Sequence, residues 1–441
     1  MNNKKLGAGK IISLSLMLFA MFFGAGNMIF PPMLGHLGGE NFVQGTLGFV
    51  AADAGLSILG VAAIVMAGTK LDDLGRLIGP KFSVFLGALI YLLIGPLFAL
   101  PRTGTVSYEM AALPFLNEHA GFLTSVVFTA LFFGITYVLS LNPTKLVDIV
   151  GKILTPVLLI SIAVIFVVSV INPVGEIGAP KGEYETIPFF KGIVEGYLAL
   201  DGFAALAFAI VVINAVKDLG VSEPGRIVNY TLISGVFAGI GLGVVYMALG
   251  YVGAQTSAGG TFENGGQILN FAVHELLGNG GNFVLGLAVL LACLTTSIGL
   301  ATSFSDYFHE LMPKYSYKKI LTVVCLFSFA VSNIGLTTMI KFTLPALVMV
   351  YPPVITLVLL SFLKKFLGTR PEPYAFAMLF AFVIGIFDGL KNAGISMGGF
   401  EGILEYVPFF ELGMGWVVPA VAGCILGLIV KTFRGEKKRA G

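Results

Sequence analysis

The sequence predicts an all-α integral membrane protein of about twelve transmembrane helices, built as two inverted five-helix repeats with breaks in helices 1 and 6, plus two added helices. Three observations carry this reading. The 441 residues are 56% hydrophobic and 11% charged, with 38 Phe and a mean hydropathy of +0.93, so most of the chain has lipid as its solvent. Apolar runs of spanning length recur, centred near residues 23, 54, 92, 131, 160, 201, 239, 292, 327, 351, 382 and 422. Two of these runs are interrupted at mid-depth by glycine and polar residues.

The longest polar stretches, Asn172 to Phe189 and Ala254 to Asn282, are too short for a soluble module, so the chain is read as one transmembrane domain. A net charge of +2 without large basic clusters argues against a nucleic-acid partner. Cys293, Cys325 and Cys424 lie in apolar segments without pairing or metal-ligand spacing and read as small core hydrophobes. His36, His119, His274 and His309 form no metal constellation, and no Gly-rich stretch has the strand–turn–helix setting of a nucleotide loop. Without a nucleophile–base pair either, the reading is not an enzyme and has no organic cofactor.

Twenty-one of the 26 Lys and Arg residues fall in the segments that are cytoplasmic if the N-terminus is. The other five are Arg102, Lys181, Lys191, Lys341 and Lys391. Under the positive-inside rule this asymmetry puts both termini in the cytoplasm, which an odd number of spans would spoil. The opening Met1-Asn2-Asn3-Lys4-Lys5 precedes an apolar stretch too long for a signal peptide, so it leads into a retained first helix.

Helix 1 runs from Ile11 to Leu37 and is interrupted by Phe22-Phe23-Gly24-Ala25-Gly26-Asn27 ahead of Met28-Ile29-Phe30-Pro31-Pro32. Backbone groups freed from helical pairing cannot face lipid, so such a break persists only where protein, water or ligand satisfies them. Helix 6, from Phe190 to Val216, repeats the anomaly at Gly196-Tyr197-Leu198-Ala199-Leu200-Asp201-Gly202-Phe203. Interrupted helices at corresponding places in two halves point to an inverted-repeat secondary transporter rather than a channel. The repeats are assigned to residues 11–172 and 190–363, with 374–433 as the two added helices.

Helix 8 carries Thr295-Thr296-Ser297 at mid-membrane. Such hydroxyls either bond to neighbouring helices or the preceding turn, or supply oxygen ligands to a small hard cation. Asp201 likewise has two readings: an ionisable coupling group, since a carboxyl within the membrane is costly, or a cap for the second half of helix 6 beside Gly202. Asp53 is central in helix 2, and Glu109 follows helix 3. Asp388 and Lys391 are spaced for a helix-end ion pair, and Arg102, Glu118, His119 and Lys191 read as interface or loop residues. The Pro352-Pro353 pair reads as a kink in helix 10.

The Gly24 to Pro32 motif, the Asp201-centred segment and the twelve-helix layout resemble the branched-chain amino acid:cation symporters, the BrnQ-like carriers of bacteria. That resemblance spans essentially the whole chain and implies membership of the amino acid–polyamine–cation superfamily with its LeuT-like fold. It implies a sodium site made by Ala292, Thr295 and Thr296 of helix 8 with Ala20 and Phe23 of helix 1. Spacings of three and four residues let one face of helix 8 present the Ala292 carbonyl and both hydroxyls. Leu198 stands where some relatives place a hydroxyl for a second sodium.

The implied activity is sodium-coupled import of leucine, isoleucine and valine across the bacterial plasma membrane by alternating access. A proton-coupled carrier of another neutral amino acid is the alternative. The substrate carboxylate would meet the N–H groups of Gly24, Ala25 and Gly26, with Asn27 beside them, at the positive end of the second half of helix 1. Its ammonium would meet carbonyls of Tyr197, Leu198, Ala199 and Leu200. Tyr197 and Phe203 are the expected lining for the aliphatic side chain.

Overall fold

The computed structural model describes residues 5–68, 71–116, 121–141, 155–396 and 398–437. Among them all regular structure is helical. Helix 1 is two pieces, α1 (Ala8–Phe22) and α2 (Ala25–Gly38), and helix 2 is also two, α3 (Phe42–Ala52) and α4 (Ala54–Ala67). After the short α5 (Leu71–Gly75), helix 3 is formed by α6 (Pro80–Leu92) and α7 (Ala99–Ser107), joined across Gly95 and Pro96. Then come α8 (Phe122–Ser140), α9 (Thr155–Ile171), and the broken pair α10 (Pro188–Gly196) and α11 (Asp201–Asp218). The second half continues with α12 (Pro224–Ala254), α13 (Gly265–Leu311), α14 (Tyr317–Ser332) and α15 (Leu336–Phe362). After the short α16 (Lys364–Leu367), α17 (Glu372–Asn392), the short α18 (Glu401–Leu404) and α19 (Val417–Lys437) close the chain. Every one of the twelve expected centres falls on these helices or at a break between two halves.

Among the described residues, seven helical stretches are long and apolar enough to cross a membrane, and the pair Pro188–Ala199 and Asp201–Asp218, bent by 48°, makes an eighth. Ala8–Phe22, Thr155–Ile171 and Val417–Phe433 are shorter apolar helices, the first because the Gly24 break cuts helix 1. Large apolar side chains such as Phe122, Leu131, Phe237, Val244 and Phe342 are exposed around the perimeter. That surface is unfavourable in water and natural in hydrocarbon.

The helices pack in two groups. In the first, α2, α3 and α4 pack with α10, α11 and α12. The close approach rests on small residues: a Cβ on Gly35 would strike the Gly250 carbonyl, and one on Gly192 the Gly45 carbonyl. The second group is α7, α8, α13 and α14. Helix α1 reaches both groups, touching α11, α12 and α13, while α15, α17 and α19 pack in series at one side.

Two expectations are revised by the fold. The stretch from Ala254 to Asn282 is not simply a polar loop: α13 begins at Gly265, turns at Gly278 with φ 63°, and places Gly265 against the Ile29 carbonyl of α2. Small residues allow that contact, and they made the segment look like loop in sequence. Lys391 does not pair with Asp388; its Nζ meets Glu411 Oε2 at 2.8 Å, while Asp388 is buried with Oδ2 unpartnered. Helix α15 runs on through Pro352 and Pro353, with the Thr356 hydroxyl donating to the Pro352 carbonyl at 2.8 Å.

Candidate functional site

The two breaks meet in the interior. Phe23 leaves α1 with ψ 96°, Gly24 is extended, and α2 restarts at Ala25. The first N–H groups of a helix have no partner within it, so this end attracts anions. One of those groups is already used, because Gly24 N–H donates to Asn27 Oδ1 at 3.0 Å. Opposite, α10 ends at Gly196, Tyr197–Ala199 form one tight turn, and Leu200 takes a left-handed conformation with φ 74° before α11 starts. A left-handed leucine is strained, and it is held by full burial.

That turn exposes the carbonyls of Leu198 and Ala199, and Arg102 of α7 takes both. Its Nη1 donates to Leu198 O at 2.5 Å and its Nη2 to Ala199 O at 2.9 Å. The guanidinium lies over the Phe30 ring, 5.3 Å from its centre, and its Nε is buried without a partner. Gly26 permits this approach: a Cβ there would lie 2.7 Å from Arg102 Nη2 and 3.0 Å from Ala199 Cα.

A chain of polar side chains runs from the helix 1 break to helix 2. Asn27 Nδ2 donates to Asp201 Oδ2 at 2.5 Å and to the Tyr246 hydroxyl of α12. That hydroxyl donates to Asp53 Oδ2 at 2.5 Å and lies 3.4 Å from Asp201 Oδ2. Asp53 sits between α3 and α4, and its Oδ1 is buried with no partner. All four side chains are buried. On the other side of the break, the Thr296 hydroxyl of α13 faces Phe23 O at 3.4 Å. A Cβ on Gly24 would lie 2.8 Å from it.

Between these groups is a cavity of about 20 Å³, roughly the room one water needs. Gly24, Ala25, Gly26, Asn27, Ala199, Leu200, Asp201 and Thr296 contribute to its wall. A larger cavity of about 500 Å³ lies toward the C-terminal ends of α11 and α13, lined by Asp72, Asn214, Lys217, Asp306 and Glu310 among others.

A family model described as "Branched-chain amino acid transport protein" matches residues 8–434. The chain belongs to that family. It is 44% identical to the branched-chain amino acid permease BrnQ of Bacillus subtilis over 98% of this chain and 99% of that one. It is 36% identical to the BrnQ permease of Escherichia coli, with 98% of each covered. Among solved structures, Mhp1, a nucleobase-cation-symport-1 transporter in a closed conformation, superposes with a TM-score of 0.62 at 14% identity, covering 99% of this chain and 94% of that one. MhsT in complex with L-phenylalanine gives 0.54 at 14% identity, covering 94% and 98%. These likenesses establish the LeuT-like fold with broken helices 1 and 6, and the family is one of transporters, not enzymes.

For this member of the branched-chain amino acid transport family, the structure brings together Gly24, Ala25, Gly26, Asn27, Leu198, Ala199, Leu200 and Asp201 at the meeting of the two breaks. Ala20 is buried one turn before Phe23, and Thr296 faces the Phe23 carbonyl. Thr295 instead donates to the Ala292 carbonyl at 2.8 Å, a bond back to its own preceding turn, and Ser297 pairs with Thr136 of α8 at 2.6 Å. Tyr197 and Phe203 lie away from the cavity, stacked on either side of Tyr351 with ring centres 4.7 and 4.0 Å apart. The apolar wall comes from Phe22, Ile94, Phe208 and Leu300.

Two site groups escaped sequence reasoning, and one reading of a third is revised. Arg102, an interface or loop residue by sequence, lies instead inside α7, which continues past it and buries it to 4% exposure. Tyr246 had no distinguishing sequence context in an apolar helix. The cap reading of Asp201 fails: no side-chain cap bond is made at the start of α11, and its carboxylate turns to Asn27.

Proposed function

We propose that this chain imports leucine, isoleucine and valine together with sodium by alternating access. The observation that carries the reading is the opposition of two unwound segments: unpaired N–H groups of Ala25 and Gly26 on one side, exposed carbonyls of Leu198 and Ala199 on the other. A zwitterion has the complementary charges. Its carboxylate suits the positive start of α2, and its ammonium suits the carbonyl pair, so the backbone alone complements both ends.

Arg102 now makes the bonds to Leu198 and Ala199 that an ammonium would make. Substrate entry therefore requires the guanidinium to give up these carbonyls, after which it lies close enough to Gly26 to pair with the incoming carboxylate. The cavity must also grow, because pockets for small organic ligands start at about 300 Å³. Ile94, Leu300, Phe22 and Phe208 then contact an aliphatic side chain, and discrimination by one methylene is worth only about 1–3 kcal/mol.

Sodium fits the oxygen-rich corner between α1 and α13, with the Phe23 and Ala20 carbonyls and the Ala292, Thr295 and Thr296 oxygens as its donors. A cation there stabilises the arrangement in which the helix 1 break sits against α13, and that same arrangement presents Ala25 and Gly26 to substrate. The group α2, α3, α4, α10, α11 and α12 would rock against α7, α8, α13 and α14. With both termini cytoplasmic, the 500 Å³ cavity is the inward vestibule, and the Asp72, Asp306 and Glu310 carboxylates in its wall concentrate cations there.

Reconstitution into liposomes tests this directly. An inward sodium gradient should drive saturable, concentrative leucine uptake; uptake that only equilibrates, or that ignores sodium, rejects the coupling.

A further inference from the structure

The sodium site and the two helix breaks leave one buried cluster without a role. Asp53 and Asp201 approach the same tyrosine hydroxyl, 2.5 and 3.4 Å away, in a region where nothing but Arg102 carries compensating charge. The guanidinium directs one hydrogen of each Nη to a backbone carbonyl and hydrogen-bonds neither carboxylate. If both acids are ionised, two buried negative charges share one positive charge that bonds neither of them, which is costly.

Counting hydrogens sharpens the point. Asn27 Nδ2 carries two, used on Asp201 Oδ2 and the Tyr246 oxygen, and Tyr246 carries one, used on Asp53 Oδ2. Asp53 Oδ1 is left buried and without a partner. The other titratable groups facing the cluster are Tyr351 of α15 and, beside Arg102, Cys293 of α13. Neither brings positive charge.

We propose that Asp53 and Asp201, joined through Tyr246, form a binding site for one exchangeable proton, separate from the sodium site. Asp201 lines the small cavity, so a proton from water reaches the cluster there. It joins the Asp201 carboxylate and then moves on to the Tyr246 oxygen as Tyr246 passes its own hydrogen to Asp53 Oδ2, so that each O–H bond formed is matched by one broken. The result is a carboxylic acid at Asp53, a carboxylate at Asp201 and an unchanged phenol, with the net negative charge of the cluster reduced by one, and release reverses each transfer. Because Asn27 bonds Asp201 through Nδ2 and Gly24 N–H through Oδ1, loading and unloading act on the helix 1 break where substrate binds.

This inference rests on the substrate reading above, and one calorimetric experiment separates the two. Leucine is titrated into purified protein at saturating sodium, in buffers of different ionisation enthalpy, from about pH 5 to 9. The expected result is a proton taken up with leucine at high pH, and an affinity that weakens about tenfold per pH unit above the titration of the pair. Asp53→Asn should abolish both the proton uptake and the pH slope while leaving sodium dependence in place. Tyr246→Phe, which keeps the ring against Phe49, should likewise abolish the uptake by cutting the relay. Leucine binding in the natural protein without buffer-dependent heat overturns the proton site and leaves the leucine reading standing. An unchanged proton count in both variants overturns the assignment to this pair, and no leucine binding at any pH overturns both readings.

Discussion

Asn27 ties the two helix breaks together: its Nδ2 donates to Asp201 Oδ2 at 2.5 Å while its Oδ1 accepts from Gly24 N–H at 3.0 Å. One neutral side chain thus fixes both the start of α2 and the start of α11. Asn27→Ala removes both bonds and strands a buried carboxylate, a change worth about 1–3 kcal/mol. Leucine affinity should fall about tenfold to a hundredfold. Equilibrium binding to well-folded protein measures it, and unchanged affinity would mean that the breaks are positioned by packing alone.

Thr295 and Thr296 should behave differently. Thr296 faces the Phe23 carbonyl across the helix interface, whereas Thr295 donates to its own preceding turn. Each variant removes one oxygen ligand, but the Thr295 hydroxyl is tied to the Ala292 carbonyl and is the weaker of the two, so Thr296→Ala should raise the sodium concentration for half-maximal uptake by about tenfold and Thr295→Ala by about threefold. Uptake as a function of sodium decides it. Equal effects would place both hydroxyls in the cation shell to the same degree.

Gly26 brings α2 against both the Arg102 guanidinium and the Ala199 backbone. Gly26→Ala sets a methyl 2.7 Å from Arg102 Nη2 and 3.0 Å from Ala199 Cα, and the backbone contact cannot swing aside. Overpacking of this kind costs about 1–3 kcal/mol, so leucine affinity should drop at least about tenfold with the protein still folded. Gly7→Ala, where a Cβ meets nothing within 4 Å, is the matched control. Affinity preserved in Gly26→Ala would move the carboxylate site off this part of α2.

Much of the fold was legible because a broken membrane helix must show small and polar residues where its backbone is left unpaired. Gly24 and Gly26 announced the first break that way, and Asp201 the second. The chemistry between the breaks was less legible. Arg102 sits in a polar run at a proline, which in sequence looks like the end of a span, and only the three-dimensional path of α7 shows it buried beside Leu198 and Ala199. Aromatic direction was also hidden: Tyr197 and Phe203 flank the site in sequence, but the 3₁₀ turn and the left-handed Leu200 rotate them onto Tyr351. Periodicity cannot anticipate a face that a break re-aims.

Arg102 separates competition from pairing. If its guanidinium holds the ammonium site in the substrate-free protein and then meets the substrate carboxylate, Arg102→Ala has opposite effects on two ligands. Leucine amide has the ammonium and the aliphatic chain but no carboxylate, so it gains from freed Leu198 and Ala199 carbonyls and loses nothing. Leucine makes the same gain but loses a charge-assisted bond worth about 1.5–3 kcal/mol. The preference for leucine over its amide should therefore shrink about tenfold or more, with amide affinity unchanged or improved. Competition binding with the two ligands reads the ratio directly. A parallel loss for both would make Arg102 a structural strut across the helix 6 turn, and the carboxylate would then rely on the N–H groups of Ala25 and Gly26 alone.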